Sequence, residues 1–489
     1  MRGDLVIRRT RLGDRPDGKP VDVRIAGGRI AEIDAAIGRE AGQEELDAAG
    51  GWLIPGLHDH HIHLRALAAS LSSVVVGPPE VTDLAGLAEA LGRARRTADA
   101  GWIRAVGYHE SVAGDLEREV LDRLVPDRPL RVQHRSGVLW VLNSPALEIV
   151  GADSEYGQGI ERDSRGRPTG RLWRMDAWLS ARTVALPERE LTDRLGELSR
   201  EAAALGVTGW TDATPERSDA DTRLLAASAS DGVVCQRLHL MVRADADSAG
   251  PDVAGPAAGG GPAGCDRVSA GAVKVILDDF DLPAIGSLSR TFRCAHRGGR
   301  PVAVHCVTRT QLVLALVALE EAGGPFGHDR IEHGAVIPFE IIPQLKRLGV
   351  TVVTQPNFVS ERGDEYLRSV EPNESENLWR AGSLSRAGVA VAAGTDAPFG
   401  GSDPWAAIRA AVSRRTASGA RLGPQERVGL PEALSWWLGT GAEPAMPRRV
   451  KVGEVADLAI LPSPVAKVAA AEGPPAVIAT VVCGRVVHG

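Results

Sequence analysis

The hydrophobic positions between residues 206 and 394 form a repeated alternation of two kinds of segment. Short runs of β-branched and other apolar residues are typical of buried strands, and the Ala/Leu/Arg-rich stretches that follow them are typical of helices. Such an alternation predicts an α/β fold with a parallel sheet. The predicted strands are residues 207–212, 233–243, 272–277, 301–307, 330–333, 350–355 and 389–394.

An eighth strand is predicted near residue 60, where the apolar run 52–56 leads into a histidine-rich segment. Eight strand–helix units predict a closed TIM-like (β/α)8 barrel, whose active site lies at the C-terminal ends of the strands. An open doubly wound sheet is the competing α/β architecture, but no GxGxxG fingerprint follows the first strand.

Short strand-like runs also occur at both ends of the chain, at 5–8, 21–26 and 29–33 and again at 455–461, 477–482 and 484–487. We therefore expect residues 1–54 and 441–489 to pair into one small sheet domain, and residues 55–440 to form the barrel domain. The separation between His63 and Lys274 is 211 residues (274 minus 63), far more than three units of roughly 30 residues need. This spacing predicts an insertion near 65–175. The Gly/Pro/Ala-rich stretch 249–264 predicts a loop.

The composition is that of an ordinary globular protein, with 44% hydrophobic and 24% charged residues and a net charge of −7. No basic stripe favours a nucleic-acid partner. No apolar stretch approaches the roughly 18 residues of a membrane span, and the N-terminus lacks a signal core, so no membrane partner is predicted. The five cysteines are scattered without CxxC spacing, which favours a reducing, cytoplasmic location. A homo-oligomer stays open.

Four of the twelve histidines lie within six residues, at His58, His60, His61 and His63. Alternate side chains of a strand share a face, so His61 and His63 point together with Asp59, while the other two point the opposite way. Two neutral imidazoles side by side form half of a zinc site. The cluster therefore predicts metal chemistry.

Four further candidates follow at strand positions of the predicted barrel. Lys274 and His305 are 31 residues apart, His305 and His333 are 28 apart, and His333 and Asp396 are 63 apart. These separations correspond to one, one and two strand–helix units of roughly 30 residues. Because the strand ends of a barrel converge on one mouth, we expect one ligand set. Its members are His61, His63, Lys274, His305, His333 and Asp396.

The motifs around these residues resemble those of the amidohydrolase superfamily of metal-dependent hydrolases, type 3. Within it they are most similar to the branch of N-substituted formamide deformylases. The matching motifs span nearly the whole chain. They are Pro55-Gly56-Leu57 with Asp59-His60-His61-Ile62-His63, Asn143-Ser144-Pro145-Ala146-Leu147, Gly206-Val207-Thr208, Val273-Lys274, Arg330-Ile331-Glu332-His333 and Gly394-Thr395-Asp396-Ala397-Pro398.

The resemblance implies a metal-binding barrel flanked by a small β-sandwich built from both termini. It also implies one or two divalent ions, with zinc the expected metal. His61, His63 and Asp396 would hold one ion, and His305 and His333 the other. If two ions bind, the resemblance implies that CO2 carboxylates Lys274, which then bridges them.

Physical chemistry makes these roles sensible. An ammonium cannot ligate a cation, whereas the carbamate of Lys274 offers two hard oxygens. Burial of this lysine lowers its pKa and favours the free amine that reacts with CO2. Water on a divalent ion ionises at a pH of ~7 and can attack a carbonyl carbon, while a second ion polarises the carbonyl oxygen. Asp396 would act as general base towards this water and then as general acid towards the leaving nitrogen.

The leading hypothesis is hydrolysis of an amide-type C–N bond in an N-acyl, N-formyl or cyclic amide. A deaminase that releases ammonia is the nearest alternative. Deaminases of this superfamily usually place a glutamate three residues after the strand-five histidine, whereas Thr308 follows His305 at that spacing. A non-catalytic scaffold is the third reading, and the complete ligand set disfavours it.

Four residues are candidate substrate contacts. Gln355 and Asn357 lie at the end of the seventh predicted strand and would face the barrel mouth, whereas His109 and Arg135 lie in the predicted insertion. Glu332 precedes a candidate ligand and would face the opposite side, for which we expect a structural role.

Overall fold

The computed structural model describes residues 4–13, 18–40, 42–97, 101–155, 157, 159–184, 186–244 and 266–489. The chain forms two compact units. The first unit contains residues 1–64 and 195–489, and the second unit contains residues 65–194. The loop predicted at 249–264 lies outside the described residues.

The strands of the described residues are short, and most are strongly buried. In chain order they are β1 (Leu5–Leu12), β2 (Val21–Ala26), β3 (Arg29–Asp34), β4 (Glu44–Asp47), β5 (Trp52–Pro55), β6 (Leu57–Ile62), β7 (Val74–Val75), β8 (Ile103–Tyr108), β9 (Leu130–His134), β10 (Leu139–Leu142), β11 (Ile160–Arg162), β12 (Pro168–Trp173), β13 (Val207–Asp212), β14 (Arg237–Arg243), β15 (Val268–Ile276), β16 (Val302–Cys306), β17 (Arg330–His333), β18 (Thr351–Thr354), β19 (Ala390–Ala393), β20 (Leu458–Leu461), β21 (Ala479–Val482) and β22 (Arg485–His488).

The helices follow the same chain order. They are α1 (Leu64–Ser70), α2 (Leu84–Thr97), α3 (Glu110–Ala113), α4 (Arg118–Leu124), α5 (Ser144–Val150), α6 (Asp176–Ser180), α7 (Glu188–Ala204), α8 (Asp219–Ser230), α9 (Ile285–Arg297), α10 (Arg309–Glu321), α11 (Ile342–Leu348), α12 (Asn357–Ser369), α13 (Pro372–Ser375), α14 (Ala381–Ala387), α15 (Pro404–Ser413), α16 (Leu430–Ser435) and α17 (Val465–Ala470). None of those described combines the length and apolar character needed to cross a bilayer.

Eight strands of the first unit form a parallel sheet in the order β19-β18-β17-β16-β15-β14-β13-β6. Its two edges meet, because the N–H of Asp396 donates to the carbonyl of His61 at 2.8 Å and that of His63 donates to the carbonyl of Ala397 at 2.9 Å. Gly394 permits this approach, since a Cβ there would lie 2.4 Å from the backbone nitrogen of His61. The sheet is a nearly closed eight-stranded barrel, which confirms this part of the predicted fold.

Polar caps begin several of the helices that follow barrel strands. The N-cap residues are Ser218 before α8, Thr308 before α10 and Asp403 before α15. The side-chain oxygen of each accepts a backbone N–H of the first turn. Such caps satisfy N–H groups that have no partner within the helix. The chain can therefore turn into a helix soon after a strand ends, which keeps the strand ends together at one rim.

Strands from both ends of the chain share a further sheet of the first unit. Its order is β22-β21-β20-β5-β1-β2-β3, with β4 paired to β1. Ile7, Val23 and Leu53 from the N-terminal part are fully buried with Ile460 and Val481 from the C-terminal part. The two ends of the chain therefore contribute to one hydrophobic core.

The second unit contains a six-stranded sheet in the order β11-β12-β10-β9-β8-β7. On β10, Leu139 and Val141 are buried in one core and Trp140 and Leu142 in another. Successive strand residues point to opposite faces, so this sheet carries a hydrophobic core on each face.

Most predicted barrel strands agree with the structure, and two of them, 207–212 and 330–333, have the bounds of β13 and β17. Two strands start elsewhere by four residues: β15 begins earlier, at Val268 and not at residue 272, and β14 begins later, at Arg237 and not at residue 233. Residues 231–236 instead form the turn after α8, where Gly232 has a φ of 80° and the N–H of Val234 donates to the carbonyl of Ser228 at 2.9 Å. No two of the four cysteines among the described residues form a disulfide with each other.

Candidate metal centre

Two histidines from the end of β6 meet an aspartate that follows β19. His63 Nε2 lies 3.2 Å and His61 Nε2 lies 3.6 Å from Asp396 Oδ1. One donor atom from each of the three residues lies within 4.8 Å of the other two. Two imidazoles and a carboxylate are a donor set that zinc accepts. The structure thus brings together three of the six predicted ligands as one possible metal site.

The other three candidates lie beside this group. His333 Nδ1 is 4.0 Å from Asp396 Oδ2, and the His333 ring is 4.7 Å from the ring of His61 and 4.6 Å from that of His305. Lys274 is buried on β15, where Ile276, two residues further on, pairs with His305 of β16. Burial lowers the pKa of His61, His305 and His333, and the nearby charge of Lys274 also lowers each of them. All six predicted ligands therefore gather at the same end of the barrel.

Three buried atoms of this group have no hydrogen-bond partner among the described residues, namely His61 Nε2, Lys274 Nζ and Asp396 Oδ1. Leaving a buried donor or acceptor unsatisfied costs about 1–3 kcal/mol. A divalent ion would satisfy the imidazole and the carboxylate directly, whereas the amine of Lys274 can take part only without its ammonium charge. The residues therefore fit a metal centre.

The protonation states also suit metal ligands. Burial lowers the pKa of His61 to about 3, and it lowers the pKa of His305 well below its ordinary value. Burial likewise lowers the pKa of Lys274. Burial alone would raise the pKa of Asp396, but the nearby imidazoles of His63, His333 and His61 bring it below its ordinary value. Neutral imidazoles and an ionised carboxylate are the forms that bind metals.

Two of the candidate ligands have left-handed backbone conformations. The φ angles are 68° at His333 and 58° at Asp396. Such conformations cost about 1–3 kcal/mol for a residue other than glycine and cluster at functional sites. Because both side chains point into the same centre, the strain supports a functional role for this rim of the barrel.

Glu332 holds His61 from the side away from Asp396. Its buried carboxylate accepts a hydrogen bond from His61 Nδ1 and also pairs with Arg330, whose Nε lies 2.6 Å away. A carboxylate at Nδ1 fixes the proton there and leaves the lone pair of Nε2 for a metal. The expectation that Glu332 faces away from the ligands was wrong, because its side chain points into the barrel and meets a side chain from a strand across it.

Asp59 is a further residue whose role the sequence did not reveal. Its Oδ1 accepts the N–H groups of Thr395 at 3.0 Å and His61 at 3.1 Å, and its Oδ2 accepts the Thr395 hydroxyl at 2.5 Å. Burial raises the pKa of Asp59 to about 7. These contacts join β6 to the segment that carries Asp396, so Asp59 fixes the distance between the two halves of the ligand group.

Gln355 and Asn357, two of the predicted substrate contacts, are fully buried. Gln355 Oε1 lies 2.8 Å from Nδ1 of His333, and Asn357 Nδ2 donates to the carbonyl of Thr395 at 3.0 Å and to Glu361 at 3.2 Å. The contact of Gln355 holds the candidate ligand His333 in place, and that of Asn357 holds the segment before Asp396. Contact with a substrate stays a prediction.

The other two predicted substrate contacts, His109 and Arg135, lie in the second unit. His109 follows β8 and accepts the N–H of Ser111, which caps α3. Arg135 follows β9, and its N–H donates to the carbonyl of Tyr108 at 2.9 Å. Their contact with a substrate also stays a prediction.

His109, Glu110 and His134 form a second group of close donor atoms. Nε2 of His109 and of His134 lie 3.3 Å and 3.2 Å from Oε2 of Glu110. However, Nδ1 of each ring accepts a backbone N–H, from Ser111 and from Ser136. In the neutral ring the proton is then on Nε2, which donates to the carboxylate and has no lone pair for a metal. We interpret this group as a hydrogen-bonded cluster.

Comparison with known proteins agrees with this geometry. The amidohydrolase family model of type 3 matches residues 44–488. The N-substituted formamide deformylase of Arthrobacter pascens is 28% identical over 498 aligned positions, covering 90% of this chain and 89% of the deformylase.

Solved structures show the same fold. A metal-dependent hydrolase from Pyrococcus horikoshii, itself uncharacterized, has a TM-score of 0.72 at 19% identity and covers 94% of this chain and 97% of its own. The atrazine chlorohydrolase TrzN from Arthrobacter aurescens, solved in complex with zinc, has a TM-score of 0.59 at 14% identity over 99% of this chain and 95% of its own. The family match extends over most of the chain and includes the positions of all six predicted ligands. The chain therefore belongs to the amidohydrolase family of type 3 and is a metal-dependent hydrolase acting on carbon–nitrogen bonds.

Proposed function

We propose that this amidohydrolase hydrolyses the C–N bond of a small N-formyl, N-acyl or cyclic amide. One observation carries the proposal: His61 Nε2, Lys274 Nζ and Asp396 Oδ1 converge as buried atoms without hydrogen-bond partners among the described residues. The amide class is supported by the relative named as an N-substituted formamide deformylase.

Six residues would hold one or two divalent ions, with zinc as the proposed metal. They are His61, His63 and Asp396 for one ion, His305 and His333 for the other, and a carboxylated Lys274 between them. When bound, such ions lower the pKa of water to about 7 and polarise a carbonyl oxygen. The TrzN complex with zinc supports the choice of metal for this fold.

Asp396 is the proposed proton carrier of the reaction. Its Oδ1 is buried beside His61 and His63, where an attacking water would also bind. The carboxylate would accept a proton from the water as its oxygen attacks the carbonyl carbon, and would deliver that proton to the nitrogen as the C–N bond breaks. The products are a carboxylic acid and an amine, which remain joined if the substrate is cyclic.

We further propose that residues 1–54 and 441–489 form a small β-sandwich domain and that residues 55–440 form the barrel domain with an insertion near 65–175. The shared core of the chain ends and the compact unit at 65–194 support this division.

A panel of N-formyl, N-acyl and cyclic amides tests the reaction. We expect the zinc-loaded protein to produce a new amino group from at least one class, and removal of the metal by a chelator to abolish this activity. His61→Ala, which removes one ligand, should be inactive in the same assay. Release of free ammonia without hydrolysis of the acyl group would instead indicate a deaminase. A stable wild type that binds no metal would contradict the proposal.

Replacing Lys274 by methionine should reduce the bound metal from two ions per chain to one, because the bridging carbamate can no longer form. Elemental analysis measures the metal. Reconstitution of the wild type with ¹³C-bicarbonate should also give a carbamate signal in the carbon NMR spectrum, which the variant lacks.

Lys346→Met is the matched control, since Lys346 is exposed on α11. This variant should retain both metal ions and the carbamate signal. One ion per chain in the wild type, with no carbamate signal, would show that the centre is mononuclear.

A further inference from the structure

Arg104 and Arg131 lie side by side on the sheet of the second unit. They are register partners on the parallel strands β8 and β9, so their side chains share one face of the sheet. Arg104 donates to Ser73 Oγ at 2.5 Å and to Gln133 Oε1 at 3.4 Å, and Arg131 donates to Thr183 Oγ1 at 2.9 Å. All three acceptors are neutral. Within the described part of the chain, neither guanidinium forms an ion pair.

Two tryptophan rings lie close to these guanidinium groups. Arg131 Cζ lies 5.8 Å from the centroid of the Trp102 ring and 5.3 Å from that of Trp140, and Arg104 Cζ lies 5.6 Å from Trp140. The rings attract the cations through cation–π contacts. The hydrogen-bonding edges of the guanidinium groups remain as the places where an anion would bind.

One edge of Arg131 has no hydrogen-bond partner among the described residues. Its Nη1 is bonded to Thr183, whereas its buried Nε has no partner and its Nη2 donates to no other described residue. Nε and Nη2 together form the planar fork that binds the two oxygens of a carboxylate or phosphate. A buried donor without an acceptor is unfavourable, and a bidentate anion on this fork would supply the missing acceptor.

The charges of the surrounding groups also favour an anion. Burial lowers the pKa of Arg104 to about 10, with Arg131 adding to the effect, and burial lowers the pKa of Arg131 to about 10, with Arg65 adding. Asp176 acts on both in the opposite direction, but its Oδ1 already accepts the indole N–H of Trp140 at 2.8 Å. An added anion would reduce the repulsion between the guanidinium groups.

We propose that the second unit binds a small oxyanion, a carboxylate or a phosphate, on the Nε/Nη2 edge of Arg131, with Arg104, Trp102 and Trp140 beside it. None of these residues is a proposed metal ligand, and the proposal does not depend on the proposed reaction. An aromatic carboxylate would add ring contacts with the tryptophans, whereas inorganic phosphate would rely on charge and hydrogen bonds alone.

Calorimetric titration of the full-length, metal-loaded protein with acetate, benzoate and inorganic phosphate tests the site, with chloride used to hold the ionic strength constant. We expect at least one oxyanion to bind the wild type. Arg131→Gln should weaken its affinity about 10- to 100-fold, the loss expected when hydrogen bonds to a charged group disappear. Arg131→Lys keeps the charge but not the fork, and should also bind more weakly.

Arg123→Gln is the matched control, because Arg123 is exposed on α4 of the same unit. Its replacement should leave oxyanion binding unchanged. Thermal unfolding verifies that each variant is folded, and Arg104→Gln provides a second test if Arg131→Gln is not. Stronger binding of benzoate than of phosphate would identify a carboxylate site, and the reverse order a phosphate site. The proposal is overturned if no oxyanion binds the wild type, or if Arg131→Gln, Arg131→Lys and Arg104→Gln bind it as the wild type does.

Discussion

Replacing Asp396 by asparagine should lower kcat by about 10³- to 10⁴-fold, because an amide cannot accept the proton of the attacking water. Asparagine has nearly the same shape as aspartate and tolerates the left-handed backbone conformation, with a φ of 58°, found at this position. The fold should therefore survive the change. Steady-state kinetics on the best amide substrate measures the loss, and elemental analysis of the same samples shows how much metal remains bound.

Asp219→Asn is the matched control. It makes the same chemical change far from the ligands in sequence, at an exposed residue in the first turn of α8. It should have full activity. If Asp396→Asn kept its full metal content and more than about a tenth of the wild-type kcat, the carboxylate could not be the proton carrier.

The barrel could be predicted because each of its strands is a short apolar run followed by a longer helical pattern. That local signal located β13 and β17 within their observed bounds. It failed at the start of β14, where Val233 and Val234 are apolar but lie in a turn after α8. A turn that is buried against its neighbours has the same composition as a strand, and local periodicity cannot separate the two.

The gathering of the six candidate ligands could be predicted because they stand in or just after strands, which a parallel barrel brings to one rim. Glu332 and Asp59 could not be assigned in this way. Their roles depend on contacts with His61 and Thr395, from elements far away in the sequence. The inward direction of such side chains is set by the tilt and closure of the barrel, which a single sequence does not specify.

The second unit shows another limit of sequence reasoning. The spacing between His63 and Lys274 predicts an insertion, but not the sheet it contains. Arg104 and Arg131 are 27 residues apart in sequence (131 minus 104) and look like two of many surface arginines. Only the register of β8 with β9 makes them neighbours on one half-buried face.

Replacing Glu332 by glutamine should weaken metal binding about 10- to 100-fold, the usual effect of removing the carboxylate that orients a ligating histidine. In the wild type this carboxylate accepts the proton of His61 Nδ1, so that Nε2 faces Asp396 with a free lone pair. A neutral amide accepts that hydrogen bond more weakly and can also rotate to present its NH2 group. Competition with a chelator of known affinity measures the change in the metal dissociation constant.

This variant also loses the buried ion pair with Arg330, at a cost of about 3–5 kcal/mol, so its melting temperature should fall as well. Glu426→Gln separates the two effects. Glu426 is buried in the same unit, accepts hydrogen bonds from Ser383 and lies 3.6 Å from Arg380, but contacts none of the proposed ligands among the described residues. We expect Glu426→Gln to lower the melting temperature while leaving metal affinity unchanged. If Glu332→Gln behaved in the same way, Glu332 would be a structural residue and would not position His61 for the metal.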